Sequence, residues 1–134
     1  MLNRCDFIGN LGKAPEIRTT QNGAKVANFS LAVSESWKDK SGQKQERTEW
    51  VNVVVWGDGL VGVIEKYLSK GSKVFISGKM QTRKWEDKSG TTKYMTEIVL
   101  QGFDELIMLG GKGDKQETPA QGNDDGFDDS DIPF

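Results

Sequence analysis

Residues 48–56 read Thr48-Glu49-Trp50-Val51-Asn52-Val53-Val54-Val55-Trp56. β-Branched and aromatic residues dominate and the alternation is strict, so the stretch is a strand. Val51, Val53 and Val55 point to one side; Trp50, Asn52, Val54 and Trp56 point to the other. The valine side is core. The opposite side carries two tryptophans six residues apart, a span of about 20 Å at strand rise. Large aromatics on a non-core face call for a second buried layer, a subunit interface or a stacking surface.

Strands flank this one on both sides. Leu2–Leu11 reads as a first strand that ends among Gly9 and Gly12, with turns at Ala14-Pro15-Glu16 and Gln21-Asn22-Gly23. Val26–Trp37 is a second. Its apolar face is Phe29, Leu31 and Val33, and its small polar face is Asn28, Ser30, Ala32 and Ser34. The polar loop Lys38–Arg47 then leads into the central strand. After it, Asp58 is read as an N-cap, and Leu60, Val63, Ile64, Tyr67 and Leu68 form one helical stripe closed by Gly71. Lys73–Trp85 and Tyr94–Gln101 are the fourth and fifth strands, and Phe103, Leu106, Ile107 and Leu109 close the domain. The order β-β-β-α-β-β fits an all-β fold with one short helix, a five-stranded OB barrel; a split α+β sandwich is the alternative.

From residue 110 the composition changes to Gly, Gln, Asp, Asn and Pro without periodicity, which predicts a disordered, acidic C-terminal tail. The domain is therefore expected over 1–109, a linker over 110–127 and a terminal peptide over 128–134. Charge divides at the same place. Residues 1–110 hold 16 Lys/Arg against 13 Asp/Glu, a net of +3, and residues 111–134 hold 2 against 7, a net of −5. The overall −2 thus hides a mildly basic domain and an acidic tail.

Several function classes are excluded by what the chain lacks. It has no His and one cysteine, Cys5, so neither a zinc cluster nor an internal disulfide is expected. No P-loop is present, and the run Asn123–Asp131 lacks the spacing of a calcium loop. Glu46 and Glu49 could pair, but they sit in a polar loop and strand start that offers no acid–base site. The expectation is a protein that is not an enzyme, with no cofactor and no metal. No apolar run reaches the ~18 residues of a membrane span and the N-terminus lacks a signal peptide, so a cytoplasmic, nucleoid-associated location without membrane contact is expected.

A repeat places the site. Trp37-Lys38-Asp39-Lys40-Ser41-Gly42 and Trp85-Glu86-Asp87-Lys88-Ser89-Gly90 agree at five of six positions, each between two strands. Asp-Lys-Ser-Gly is turn chemistry. A tryptophan before an exposed hairpin tip is not required by the turn, and in an OB barrel the loops and strand faces here bind oligonucleotides. Strict alternation sets Trp37 on the side of Phe29, Leu31 and Val33. Trp50, Trp56 and Trp85 are the firmer platforms, with Phe75 on the Trp85 face of its strand. Unpaired bases stack on such rings regardless of sequence, and cations among them track phosphates. Lys73, Lys79, Arg83, Lys84 and Lys93 lie on or beside the Trp85 face.

With these residues in place, the chain resembles the bacterial-type single-stranded-DNA-binding protein family over nearly its whole length. The matching stretches are 8–18 (IGNLGKAPEIR), 22–40, 48–57, 65–80, 82–90 (TRKWEDKSG) and the terminal DDSDIPF. The resemblance implies an OB domain assembled as a homotetramer, or a dimer, that coats single-stranded DNA in replication, recombination and repair. It implies bases stacked at Trp37, Trp50, Trp56 and Trp85 and basic contacts at Arg4, Lys40, Lys70, Arg83, Lys84 and Lys93. It also implies that Asp128, Asp129, Asp131, Ile132, Pro133 and Phe134 dock replication and repair enzymes. Asp58 stands where a basic residue is common, and Asp6 where apolar residues are usual, at a subunit contact. The residues alone leave two rivals: an OB protein for RNA, because stacking does not read the 2′-OH, and an interaction hub whose sheet aromatics are interface.

Overall fold

The structure, a computed structural model, describes residues 1–110. The expected linker beyond Gly110 and the terminal peptide 128–134 lie outside the described residues. Seven strands and one helix follow in order: β1 Cys5–Leu11, β2 Glu16–Thr19, β3 Lys25–Lys38, β4 Lys44–Trp56, α1 Asp58–Tyr67, β5 Lys73–Glu86, β6 Thr92–Leu100 and β7 Glu105–Leu109. Hydrogen-bonded neighbours run β1-β3-β4-β6-β5, and β5 returns to β1, so these five strands close into a barrel. β2 pairs with β3 and β7 with β5, outside the closed circuit. All pairings are antiparallel except the short parallel contact of β4 with β6. Closure removes the open edges that a split sandwich would leave. The five-stranded barrel expected from the strand order is the fold observed.

The alternation read in the central strand is what fills the barrel. Leu31, Val53, Val55, Ile76 and Leu100 are fully enclosed, and Val61, Ile64 and Leu68 of the helix segment pack onto them. Each such side chain contributes roughly 1.5–3 kcal/mol of burial. Gly78 marks the place where β5 exchanges neighbours: residues before it pair with β1 and β7, residues after it with β6. A Cβ there would stand 2.6 Å from the Val99 carbonyl oxygen, so only glycine permits the approach.

Four details depart from the sequence reading. The helix N-cap is Gly57, at φ 106° and without a side-chain cap; Asp58 is the first helical residue. Its charge still favours the first turn. The helix ends at Tyr67, because Leu68 is already extended, and Gly71 lies in the following turn rather than at the helix end. The buried stripe is Val61, Ile64 and Leu68, while Tyr67 is exposed. The helix is therefore rotated from the expected stripe by the need to plug the barrel end. Finally, β2 and β7 are added strands, β1 starts at Cys5, and β3 and β4 extend through most of the polar loop to leave a tip at 39–43. No helix among the described residues is long and apolar enough to cross a membrane.

Candidate nucleic-acid interface

β3 and β4 run together without interruption from Val26↔Trp56 to Lys38↔Lys44, so the outward row of β4 is fixed: Trp50 opposite Ala32, Asn52 opposite Ser30, Val54 opposite Asn28. The small Ala32 of β3 leaves Trp50 uncovered, while Trp56 faces Val26. Trp50 is 60% exposed and Trp56 37%. On the far side, β5 and β6 form a second long hairpin in which Arg83 faces Met95 and Trp85 faces Lys93. Between the two lies an open groove of about 740 Å³. Val54 and Val99, side by side in the parallel register, give it an apolar floor. Asn52 and Ser30, joined by a 3.3 Å hydrogen bond, and Trp56 continue that floor. Gln81, Arg83, Met95 and Glu97 form one wall; Lys13, Ala14, Glu16 and Arg18 form the other.

Trp50 lies two residues beyond Asn52 on the same face of β4, and Trp85 two residues beyond Arg83 on the same face of β5. Each tryptophan thus prolongs the groove along one hairpin. Trp50 rests against backbone: a Cβ on Gly12 would meet its ring carbons, Cη2 at 2.9 Å and Cζ3 nearer still. Trp85 has the Lys93 ammonium 5.5 Å from its ring centroid, and that ammonium also meets Asp87 at 3.3 Å.

The repeated turns use one device twice. Asp39 Oδ1 accepts from the Ser41 hydroxyl at 2.6 Å and from the backbone N–H groups of Ser41 and Gln43. Asp87 Oδ1 accepts the same set from Ser89 and Thr91. The other oxygen reaches the residue that faces the tryptophan across the hairpin. Asp39 Oδ2 takes the Gln45 amide at 3.1 Å, opposite Trp37, and Asp87 Oδ2 takes Lys93, opposite Trp85. The serine hydroxyls first, and then these backbone donors, hold both carboxyls below the usual aspartate range.

Two of the expected aromatics are not brought to the groove. Trp37 is 47% exposed but lies opposite Gln45, on the β3 face continuous with Leu31 and Val33, as strict alternation requires. Phe75 shares its strand face with Trp85, yet it precedes Gly78 and therefore sits between Ile8 of β1 and Ile107 of β7. Face parity could not show that β5 changes partners midway. The expected cations divide in the same way. Lys79, Arg83 and Lys93 share the Trp85 face, Lys84 lies with Tyr94 on the opposite face, and Lys40 is exposed at the β3–β4 tip. Lys70 lies in the turn before β5. Lys73 and Arg4 belong to the β1–β5–β7 surface, where Arg4 meets Asp6 at 3.1 Å. Asp6 is held below the usual range by the Ser77 hydroxyl and by Arg4, so this unexpected carboxylate is locally satisfied. Lys13, Arg18 and Glu97 were not legible as site residues. β2 is four residues long, too short for a periodic signal, and Glu97 reaches the groove only through the β5–β6 register.

Residues 2–106 match the model of the single-strand binding protein family. A single-stranded DNA-binding protein of Rickettsia prowazekii is 51% identical over 124 residues, covering 91% of this chain and 82% of that protein. One from Rhizobium meliloti is 51% identical over 114 residues, covering 84% of this chain and 66% of that protein. Among solved structures, the Plasmodium falciparum SSB complex with ssDNA superimposes with a TM-score of 0.76 at 38% identity, covering 82% of this chain and 97% of that one. The chain belongs to the single-strand binding protein family.

Proposed function

We propose that the groove binds single-stranded DNA without sequence preference, by stacking bases on Trp50, Trp56 and Trp85. The observation that carries this reading is the exposure of all three rings along one surface with an apolar floor. Lys13, Arg18 and Lys79 supply cations around it for the phosphates, with Lys40 at the β3–β4 tip and Lys84 on the reverse face of β5 as outlying contacts. Members of this family bind DNA and are not enzymes. The similar Plasmodium falciparum SSB is in complex with ssDNA, which favours DNA as the occupant over RNA. Replication, recombination and repair are the processes proposed for this chain, with Asp128, Asp129, Asp131, Ile132, Pro133 and Phe134 docking partner enzymes there. An apolar side chain at an acidic terminus suits a pocket ringed by Lys or Arg.

The assembly proposed is a homotetramer, with a dimer as the alternative. Its support is the apolar row Ile8, Phe75 and Ile107, which crosses β1, β5 and β7 on a surface apart from the groove, with Ile8 and Ile107 exposed.

The test is titration of intrinsic fluorescence with oligo-dT. The native protein is expected to be quenched, and Trp56→Ala and Trp85→Ala are each expected to lose about 1–3 kcal/mol of affinity. Absence of quenching, with both variants binding as the native chain does, would overturn the stacking platform. Deleting residues 128–134 is expected to abolish capture of replication and repair enzymes while oligo-dT affinity is retained; a deletion that keeps its enzymes would sink the docking role.

A further inference from the structure

Arg83 stands in the wall of the groove, where a cation would ordinarily be assigned to phosphate. Its surroundings argue otherwise. The Nε–H donates to Glu97 Oε1 at 2.9 Å, and one terminal nitrogen contacts Met95 Sδ at 3.6 Å. Glu97 is 8% exposed and is, with Ser77, one of two buried polar residues among those described. A carboxylate that deep is retained only with a partner, and Arg83 is the only ion-pair partner it has among the described residues. The pair is therefore close to neutral as a unit. Meanwhile the Arg83 side chain remains 63% exposed and lines the groove, so the guanidinium, although paired, is still accessible there.

We propose that Arg83 receives a base rather than a phosphate, as a planar platform whose charge Glu97 cancels and whose orientation Glu97 and Met95 fix. A guanidinium plane stacks on bases much as an aromatic ring does. Its position suits that role: it lies two residues before Trp85 on the same strand face, in line with the aromatic track. A phosphate placed against Arg83 would also feel the Glu97 carboxylate, which offsets the attraction. Glu97 is here a positioning residue and an internal neutraliser. The inference rests on the single-stranded-DNA reading of the groove.

The experiment measures oligo-dT affinity of the full chain at several salt concentrations for Arg83→Lys, Arg83→Gln and Glu97→Gln. Lysine keeps the charge and loses the plane. Arg83→Lys is expected to bind at least roughly fivefold more weakly, at the low end of what loss of one stacked base produces, with the slope of log K against log salt unchanged. Arg83→Gln is expected to leave that slope unchanged as well. Glu97→Gln keeps shape and a hydrogen-bond acceptor but uncovers the cation, so the slope is expected to steepen by up to about 0.7, the value of one neutralised phosphate on a single strand. The proposal is overturned if Arg83→Lys binds like the native chain while Arg83→Gln makes the slope shallower by about 0.7. It is equally overturned if Glu97→Gln leaves the slope where it was. Arg83→Lys keeps a cation for the buried Glu97 carboxylate, so native-like binding by this variant alone overturns the proposal even if Arg83→Gln or Glu97→Gln is unstable. A native chain that ignores oligo-dT altogether would refute the DNA reading, which is a different result from either of these.

Discussion

Gly12→Ala is the perturbation that most directly separates the fold from the site. The alanine Cβ would lie 2.9 Å from Trp50 Cη2, with Cζ3 closer, whereas two carbons in contact sit about 3.5–4.0 Å apart. The indole must therefore retreat on the order of 1 Å or swing to another rotamer. It can do so, because Trp50 is exposed. Gly12 does not adopt a positive φ, so its backbone accepts alanine, and the unfolded chain loses some freedom. Melting temperature should accordingly stay level or rise slightly, in line with ~0.4–1 kcal/mol for a compatible Gly→Ala change. Binding should fall. The ceiling is the worth of one stacked base, about 1–3 kcal/mol, or roughly 5- to 150-fold in affinity. The assay is oligo-dT titration of fluorescence for native, Gly12→Ala, Trp50→Ala and the double variant. If Gly12 acts by seating Trp50, the double variant should bind no worse than Trp50→Ala alone. Native affinity for Gly12→Ala, or full additivity with Trp50→Ala, would refute the reasoning.

Two further outcomes follow from the ion pairs and the outer surface. The folded pKa values of Asp39 and Asp87 lie below the ordinary value of 3.8, so the stability they confer is present above that value and is lost below it, as pH falls through the lowered folded values. Melting curves between about pH 6 and about pH 2 should therefore show the native chain losing more than the Asp39→Asn, Asp87→Asn double variant; equal losses would exclude the two turns as acid-sensitive elements. Ile8→Arg, on the apolar row with Phe75 and Ile107, should lower the native mass toward that of the monomer while each subunit still quenches with oligo-dT; an unchanged mass would remove that row from the assembly.

Val51, Val53 and Val55 made the barrel legible, because a strand with one buried face writes its period into the chain. Trp50 and Trp56 were legible for the complementary reason, since they alternate out of phase with the core-facing valines. What escaped reading depends on register or on neighbours. Phe75 and Trp85 share a face of one strand, but Gly78 lies between them and the strand passes from one sheet partner to another. Arg83 and Glu97 are 14 positions apart and meet diagonally, since Glu97 faces Gln81 while Arg83 faces Met95. Such a pair follows from the β5–β6 register, which the chain fixes only when the turn at 87–91 is built. Helix rotation was misjudged for a related reason: Tyr67 and Val61 compete for the stripe on hydrophobicity alone, and the barrel end selects the smaller residue.

The two hairpins then appear as variants of one construction. In each, an aspartate joins the turn to the residue across from the tryptophan, so the tip and the ring are held by one side chain. The difference lies in what is held. At Trp37 it is the neutral Gln45, and the ring lies on the β3 face that continues the core. At Trp85 it is Lys93, whose ammonium sits over the ring while its charge is met by Asp87. Arg83, two residues earlier, has its charge met by Glu97. The groove side of the β5–β6 hairpin thus presents a guanidinium plane and an indole, and the two cations flanking that indole, Arg83 and Lys93, are already partnered by carboxylates. A surface of that kind favours flat, weakly charged groups over phosphate. Attraction for the backbone is left to cations with no ion-pair partner among the described residues, such as Lys13, Lys40, Lys79 and Lys84. Bases and phosphates would then be received by different parts of the same barrel, which is how a strand of any sequence can be held in one orientation.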